Sequence, residues 1–205
     1  MSNSIYRIGL FIVLYGTNGV GKTTQAKLLA DWLSELRYEV QQIKFPLYGL
    51  PPTGPRIDRY IHGDGNGGTV NPENISVKEF QELCAENRRD GAGLIEDWLA
   101  DGCIVIAEDW TYGGIVWGMA TGVPKKAAYA MNTDFIREDA KILIDALPFT
   151  KEERHIHEED SALVARVRNL YIDIARAEGW PIVNGNQDRI IVHSQITDIV
   201  RPFFK

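Results

Sequence analysis

The residues best suited to chemistry in this chain form a glycine-rich run near its start. Positions 16–23 read G-T-N-G-V-G-K-T, which matches the pattern G-x-x-x-x-G-K-[ST] at every fixed position. In such a P-loop the backbone N–H groups and the start of the following helix surround polyphosphate oxygens. The pattern predicts an ATP site with Lys22 at the β- and γ-phosphates and the Thr23 hydroxyl on Mg²⁺. The predicted ATP-binding residues are Gly16, Thr17, Asn18, Gly19, Val20, Gly21, Lys22, Thr23 and Thr24.

A pair of carboxylates follows a second stretch that is typical of a buried strand. Residues 103–107 are an unbroken apolar run, and Glu108 and Asp109 come directly after it. Because ligands of open parallel sheets bind beyond the carboxyl ends of the strands, we expect both carboxylates to face the P-loop. A solvated acidic loop is the alternative, and the division of work between the two residues stays open.

The elements that must position these groups alternate between apolar runs and helical patterns. This alternation is typical of βαβ units, and it predicts a single α/β domain over residues 1–205 with three α/β/α layers and a mainly five-stranded parallel sheet. The predicted strands are 5–15, 39–45, 103–107, 141–144 and 181–183. Helices are predicted at 22–37 and 189–200. A further helix is predicted to begin at the capping box of Ser76 and Glu79, and another is predicted from the apolar stripe that begins at Leu163.

Composition and charge exclude several classes of protein. The 205 residues include 22 Lys and Arg against 28 Asp and Glu, and the net charge of −6 argues against nucleic-acid or membrane partners. Two cysteines, Cys84 and Cys103, give neither a disulfide framework nor a zinc site, so a cytoplasmic location is expected. The apolar run 8–15 is too short for a membrane span and leads into the P-loop instead of a cleavage site. The NKxD pattern of GTPases is absent, and its nearest approach, 87–90, lies in a helical pattern.

Several further motifs, taken in order, resemble the thymidylate kinase family. They are the P-loop, Phe45-Pro46, Pro52-Thr53-Gly54, Asn87-Arg88, Glu108-Asp109-Trp110 and Val167-Arg168-Asn169. The resemblance implies a P-loop kinase fold, a homodimer and a short lid at about 148–160. It also implies a small-molecule nucleotide acceptor: transfer of the γ-phosphoryl group of ATP to thymidylate, with Mg²⁺ required.

The same resemblance implies roles for residues beyond the P-loop. Glu108 and Asp109 would hold the metal and the acceptor, with Glu108 as the metal ligand. Arg88 would contact the acceptor and Arg154 in the lid would act on the transferring phosphoryl group. Substrate contacts are expected from Phe45, Pro46, Tyr60, Arg88, Tyr112 and Trp117. The alternatives are core packing for the aromatic side chains, a surface ion pair with Glu86 or Asp90 for Arg88, and a solvated charged run around Arg154.

At three positions the chain departs from the family pattern. Leu47 stands where an arginine follows the Phe-Pro pair, and Glu108-Asp109-Trp110 replaces an Asp-Arg-Tyr or Asp-Arg-His triplet. Cys84 stands where a phenylalanine often stacks on thymine. These departures keep three readings open: a thymidylate kinase, a kinase for another pyrimidine deoxynucleotide or a deoxynucleoside, and a nucleotide-binding regulator without turnover.

Overall fold

A computed structural model describes residues 9–63, 71, 73–147 and 161–204, and in it five parallel strands form one sheet in the order β2-β3-β1-β4-β5. The strands are β1 Leu10–Tyr15, β2 Val40–Lys44, β3 Ile104–Glu108, β4 Ala140–Asp145 and β5 Ile182–Asn184. The helices are α1 Lys22–Glu35, α2 Thr53–His62, α3 Val77–Ala100, α4 Thr111–Ala120, α5 Lys125–Met131, α6 Ser161–Glu178 and α7 Arg189–Val200. A 3₁₀ turn, Arg201–Phe204, follows α7. The predicted five-stranded parallel sheet is confirmed.

The central strand β1 shows why the molecule has three layers. Its side chains alternate between the two faces of the sheet, as the pleat of a strand requires. Phe11, Val13 and Tyr15 lie in a core with residues of α3 and α6. Ile12 and Leu14 lie in a second core with residues of α1 and α7. All five are fully buried, so the sheet is covered on both faces as predicted.

The ends of several elements differ from the sequence prediction. The first strand begins at Leu10, directly after Gly9, and residues 5–8 of the predicted strand lie outside the described ranges. Helix α1 ends at Glu35 instead of Arg37, whose φ of 71° is left-handed and cannot continue a helix. The last helix, Arg189–Val200, is confirmed. The predicted lid, including Arg154, also lies outside the described residues, and the single-domain assignment stays a prediction.

Helix α3 is one continuous element of 24 residues that begins at the predicted capping box. The Ser76 hydroxyl accepts a hydrogen bond from the N–H of Glu79, whose carboxylate accepts one from the N–H of Ser76. Gly91 lies inside the helix, where a Cβ would stand 2.5 Å from Leu47 Cδ1. Because Gly91 has no side chain, Leu47, in the segment that follows β2, can pack closely against the helix.

The carboxyl ends of the strands meet at one edge of the sheet. In the register of the ladders, Glu108 of β3 lies opposite Leu14 of β1 and Lys44 of β2. Asp145 of β4 lies opposite Asn184 of β5 at the same edge. Within the described residues, no helix combines the length and the apolar composition that crossing a membrane requires.

Candidate active site

The P-loop connects β1 to α1 through three glycines with positive φ. Gly16, Gly19 and Gly21 have φ of 149°, 72° and 93°, which L residues rarely adopt. At Gly16 a Cβ would also stand 2.6 Å from the carbonyl oxygen of Ile144. Only glycine at these positions lets the loop curl tightly over the end of the sheet with its N–H groups exposed to an anion.

Lys22 lies inside this loop and is 6% exposed. Its Nζ donates hydrogen bonds of 2.8 and 2.9 Å to the carbonyl oxygens of Gly16 and Thr17. The same amine lies 3.3 Å from a carboxylate oxygen of Asp109. The loop thus holds a buried ammonium group at the start of a helix, which is the charge that polyphosphate binding requires.

The two carboxylates that the sequence predicted here have different partners. Glu108 is 6% exposed and accepts a 2.6 Å hydrogen bond from the Thr23 hydroxyl, with Lys44 Nζ 3.9 Å away. Asp109, at φ 60°, faces Lys22 and accepts a 3.2 Å hydrogen bond from the Tyr171 hydroxyl. Burial, and then the Asp109 carboxylate, raise the pKa of the Tyr171 phenol, which therefore stays protonated as the donor. Neither carboxylate belongs to a solvated acidic loop.

A metal such as Mg²⁺ fits the Thr23 and Glu108 pair. Mg²⁺ prefers oxygen ligands and keeps several waters, so it needs few protein groups. Among the described residues no group of three or more His, Cys, Asp or Glu side chains is placed to hold a metal ion. One hydroxyl and one neighbouring carboxylate, completed by phosphate oxygens and water, therefore form a donor set suited to Mg²⁺ and not to zinc.

One large cavity of about 1060 Å³ extends from the P-loop toward α2, α3 and α4. Its end at the sheet is polar and charged, with Lys22, Thr23, Glu108 and Asp109 in the wall. Its far end lies between helices and is mostly apolar. The residues of that far end are Tyr48, Ile61, His62, Phe80, Gln81, Cys84, Trp117 and Thr121. The shape accommodates a ligand with an anionic part near the sheet and a flat, apolar part between the helices.

Arg88 of α3 lies in the wall of this cavity and is 4% exposed. One Nη2 donates a 2.7 Å hydrogen bond to Asn132, whereas the buried Nε has no partner. Arg88 forms no ion pair within the described residues, so the surface-pair alternative with Glu86 or Asp90 is wrong. Burial lowers the pKa of its guanidinium, although arginine keeps its charge in proteins. An unneutralised, buried guanidinium beside a cavity is well suited to bind an anion or a carbonyl.

The aromatic residues predicted to bind substrate divide into two groups. Phe45, Pro46 and Trp117 line the cavity. Tyr60 and Tyr112 do not, and their role in substrate binding stays a prediction. Tyr60 stacks on Phe80 with ring centroids 3.7 Å apart, so core packing holds it behind the wall.

Tyr112 packs outside the cavity wall, where its hydroxyl and its ring both have partners. It donates to the Glu178 carboxylate at 2.7 Å, and its ring meets Trp180 edge to face at 4.6 Å. Lys141 Nζ lies 4.9 Å from the centre of the same ring. Burial raises the pKa of the Tyr112 phenol, which keeps it protonated in this cluster.

Two of the departures from the family pattern have clear structural outcomes. Leu47 packs into the core against Gly91, and its N–H and carbonyl are both held by the Asn87 side chain at 2.7 and 3.1 Å. Cys84 lines the cavity, and burial raises the pKa of its thiol to about 12. A protonated thiol leaves space beside the cavity without adding a charge or a nucleophile.

The wall residues that sequence reasoning did not assign to the site include Lys44, Arg168 and Gln81. Lys44 ends β2 at the rim of the cavity, and Arg168 of α6 pairs with Asp145 through hydrogen bonds of 2.6 and 2.9 Å. Gln81 lies on α3 at the far end. The spacing of Gln81, Cys84 and Arg88 puts all three on one helix face, and this was the signal that could have found Gln81.

Comparisons with known proteins agree with this geometry. A family model described as "Thymidylate kinase" matches residues 14–196. A protein named probable thymidylate kinase from Thermococcus kodakarensis is 30% identical over 203 residues, covering 93% of this chain and 97% of the relative. A thymidylate kinase from Dictyostelium discoideum is 24% identical over 208 residues, covering 96% of this chain and 87% of the relative. A solved thymidylate kinase from Candida albicans matches with a TM-score of 0.78 at 22% identity, covering 96% of this chain and 92% of that chain. At that identity the structural match shows the fold.

Proposed function

The chain belongs to the thymidylate kinase family, and on that premise we propose that it transfers the γ-phosphoryl group of ATP to the 5′-phosphate of thymidylate (dTMP), giving dTDP and ADP. The proposal is carried by one observation: a single cavity joins a complete P-loop to a buried arginine and a mostly apolar far end. The P-loop suits the triphosphate, Arg88 suits the acceptor, and the far end suits a base.

Catalysis in this proposal comes from positioning and charge. The acceptor phosphate is already an anion, so its oxygen can attack without a general base, and no covalent intermediate with the protein is needed. Lys22 would neutralise charge on the transferring group, and Thr23 with Glu108 would hold Mg²⁺, which supplies further positive charge when bound with ATP. We also assign Arg154, from the segment predicted as the lid, to the transferring group.

A second candidate, a deoxynucleoside kinase, is favoured by one feature of the site. The resemblance leads us to expect an arginine at position 109, but Asp109 places a carboxylate there, 3.3 Å from Lys22. A negative group weakens phosphate binding at that point, whereas a 5′-hydroxyl acceptor needs a carboxylate to take its proton. Thymidine therefore belongs in the same test as thymidylate.

The test measures ADP formation from Mg-ATP with thymidylate, deoxyuridylate, cytidylate, deoxyguanylate or thymidine, each against an ATP-only control. We expect a strong preference for thymidylate. A preference for thymidine would select the second candidate, and another nucleotide would redefine the acceptor. Two outcomes would refute both kinase proposals in favour of a nucleotide-binding regulator. One is ADP formation that does not depend on any acceptor, and the other is intact ATP binding without ADP formation.

Lys22→Ala supplies the control for the mechanism. It removes the buried amine, and we expect phosphoryl transfer to fall by about 100- to 1000-fold, the usual cost of losing one group that stabilises the transition state. The matched control is Lys27→Ala, which removes an exposed lysine from the same helix and should leave turnover unchanged. Equal turnover in the two variants would contradict the role given to Lys22.

We further propose that the protein acts in the cytoplasm as a homodimer. Both cysteines are free and buried, which suits a reducing compartment. The dimer rests on the family resemblance alone, and a measurement of molar mass in solution tests it.

A further inference from the structure

The Gln81 side chain, at the far end of the cavity, is a polar group that the proposed function leaves unused. Gln81 is 6% exposed, yet its side chain lies in the cavity wall. Its amide forms no side-chain hydrogen bond with the part of the chain that the structure describes. No nitrogen or oxygen of Gln81 is among the described buried atoms that lack a partner, so its amide is open to the cavity, where a ligand or water can supply its hydrogen bonds.

The surroundings of Gln81 suit a flat ring with a polar edge. The neighbouring wall is formed by the Phe80 and Trp117 rings and by the protonated thiol of Cys84. Aromatic faces stack on heterocyclic rings, and the small Cys84 side chain leaves room beside them. The Gln81 amide adds one donor and one acceptor group to this otherwise apolar space.

Gln81 and Arg88 are placed in a row that leads away from the P-loop. They lie seven residues apart on one face of α3, which corresponds to about 10 Å along the helix axis. Two glycines of the opposite helix, α4, face these two residues. Gly114 faces Arg88, and Gly118, one turn later on α4, faces Gln81 with a Cβ position 3.6 Å from its Cγ. Arg88 thus belongs to the middle of the cavity and Gln81 to its far end.

We infer that Gln81 recognises the acceptor base: its Oε1 accepts the N3–H of a pyrimidinedione and its Nε2 donates to the adjacent carbonyl. This inference rests on the proposed function, because it assigns the far end of the cavity to the base of the acceptor. An amide presents donor and acceptor side by side, which matches an imide edge, whereas the Arg88 guanidinium has only donors. Gln81 therefore binds the N3 edge of a pyrimidine base at this site.

The test combines a variant with a modified substrate. Gln81→Met keeps length and helix propensity but removes the amide, and N3-methylthymidylate removes the matching N3–H. In the wild-type protein we expect N3-methylation to lower kcat/KM by about 10- to 100-fold, the effect of unpairing a buried polar group. Gln81→Met should lower kcat/KM for thymidylate by a similar factor, mainly through KM, and N3-methylation should then cost it little more. The KM for ATP should not change.

Two further variants keep the result interpretable. Glu82→Met changes the next residue of α3, which is exposed and paired with Lys78, and should keep the wild-type response to N3-methylation. Gln81→Glu preserves shape, but its carboxylate accepts without donating, so it should lower kcat/KM for thymidylate by about tenfold while N3-methylation still lowers kcat/KM further. This second variant decides the question if Gln81→Met does not fold.

The outcomes separate this inference from the proposed function. If the wild-type protein forms no ADP in response to thymidylate, the proposed function fails. If thymidylate is a good acceptor but N3-methylation lowers kcat/KM by the same factor in Gln81→Met and in the wild-type protein, the inference about Gln81 is overturned while the proposed function stands. An unchanged kcat/KM for thymidylate in Gln81→Glu would overturn it in the same way.

Discussion

A single methyl group on α4 should disable the acceptor site while the fold survives. At Gly114 a Cβ would stand 2.2 Å from Nη2 of Arg88 and 2.9 Å from Oδ1 of Asn132. Ordinary contact begins near 3.4 Å, so Gly114→Ala must push the guanidinium by about 1.2 Å, the difference between the two distances. A displacement of that size in a substrate-positioning group can cost about 100-fold in rate. We therefore expect kcat/KM for the acceptor to fall by about 100-fold.

The stability cost of Gly114→Ala should be small. Alanine in place of glycine stabilises a helix interior by roughly 0.5–1 kcal/mol. Weakening the charge-assisted hydrogen bond between Arg88 and Asn132 opposes this by about 1.5–3 kcal/mol. The net loss of roughly 0.5–2.5 kcal/mol corresponds to a fall in Tm of only several degrees for a chain of this size. The colliding atoms of Arg88 end a flexible side chain, which is why the fold can adjust.

Gly118→Ala is the matched control, since it adds the same methyl one turn later on the same helix. Its Cβ would meet Gln81 Cγ and Ala128 Cβ at 3.6 Å, which is ordinary contact. Initial rates against thymidylate at saturating ATP, with Tm by thermal denaturation, compare the two variants. Wild-type kcat/KM in a folded Gly114→Ala variant would refute the placement of Arg88, as would an equal loss in Gly118→Ala.

Two further predictions concern the metal ligand and the cavity thiol. Glu108→Gln keeps the size of the side chain that accepts a hydrogen bond from the Thr23 hydroxyl but removes its charge. The Mg²⁺ concentration for half-maximal rate should therefore rise about 10- to 100-fold. An equal rise in Asp109→Asn would contradict this assignment. With its pKa raised to about 12, the Cys84 thiol should react with iodoacetamide at pH 8 about a thousandfold more slowly in the folded than in the unfolded protein, as followed by mass spectrometry. Because the unfolded thiol ionises first, this group should lower the free energy of unfolding as pH rises from about 9 toward 12.

The sequence predicted those parts of the site whose function is encoded by neighbouring residues. The P-loop follows from a contiguous motif between a strand and a helix, and Glu108 and Asp109 follow from their place at the end of an apolar strand. By contrast, α4 was not predicted, because T-Y-G-G-I-V-W-G-M-A has three glycines and no amphipathic stripe. The helix is buried on most sides, so packing decides its structure instead of propensity.

The part of the site that the sequence could not predict depends on which helix faces which. Tyr112 and Trp117 lie five residues apart on α4, which turns them to different sides of the helix, and only Trp117 lines the cavity. The spacing on α3 places Gln81 on the same face as Arg88, but that this face lies opposite Gly118 is seen only in the structure. The side of α4 that meets the cavity cannot be read from α4 alone, because it is set where the two helices pack.

The two positions where an arginine was expected have opposite consequences for charge. Leu47 is a packing residue, so its site simply lacks a charge, whereas Asp109 adds a carboxylate beside Lys22. The other described lysines and arginines in the cavity wall also have acidic neighbours, since Lys44 lies near Glu108 and Arg168 is paired with Asp145. Arg88 alone has an amide as its partner, and its burial reduces screening by salt. Under the proposed function, attraction for the acceptor is therefore concentrated on Arg88, and this is why moving its guanidinium by about an ångström should cost so much of the activity.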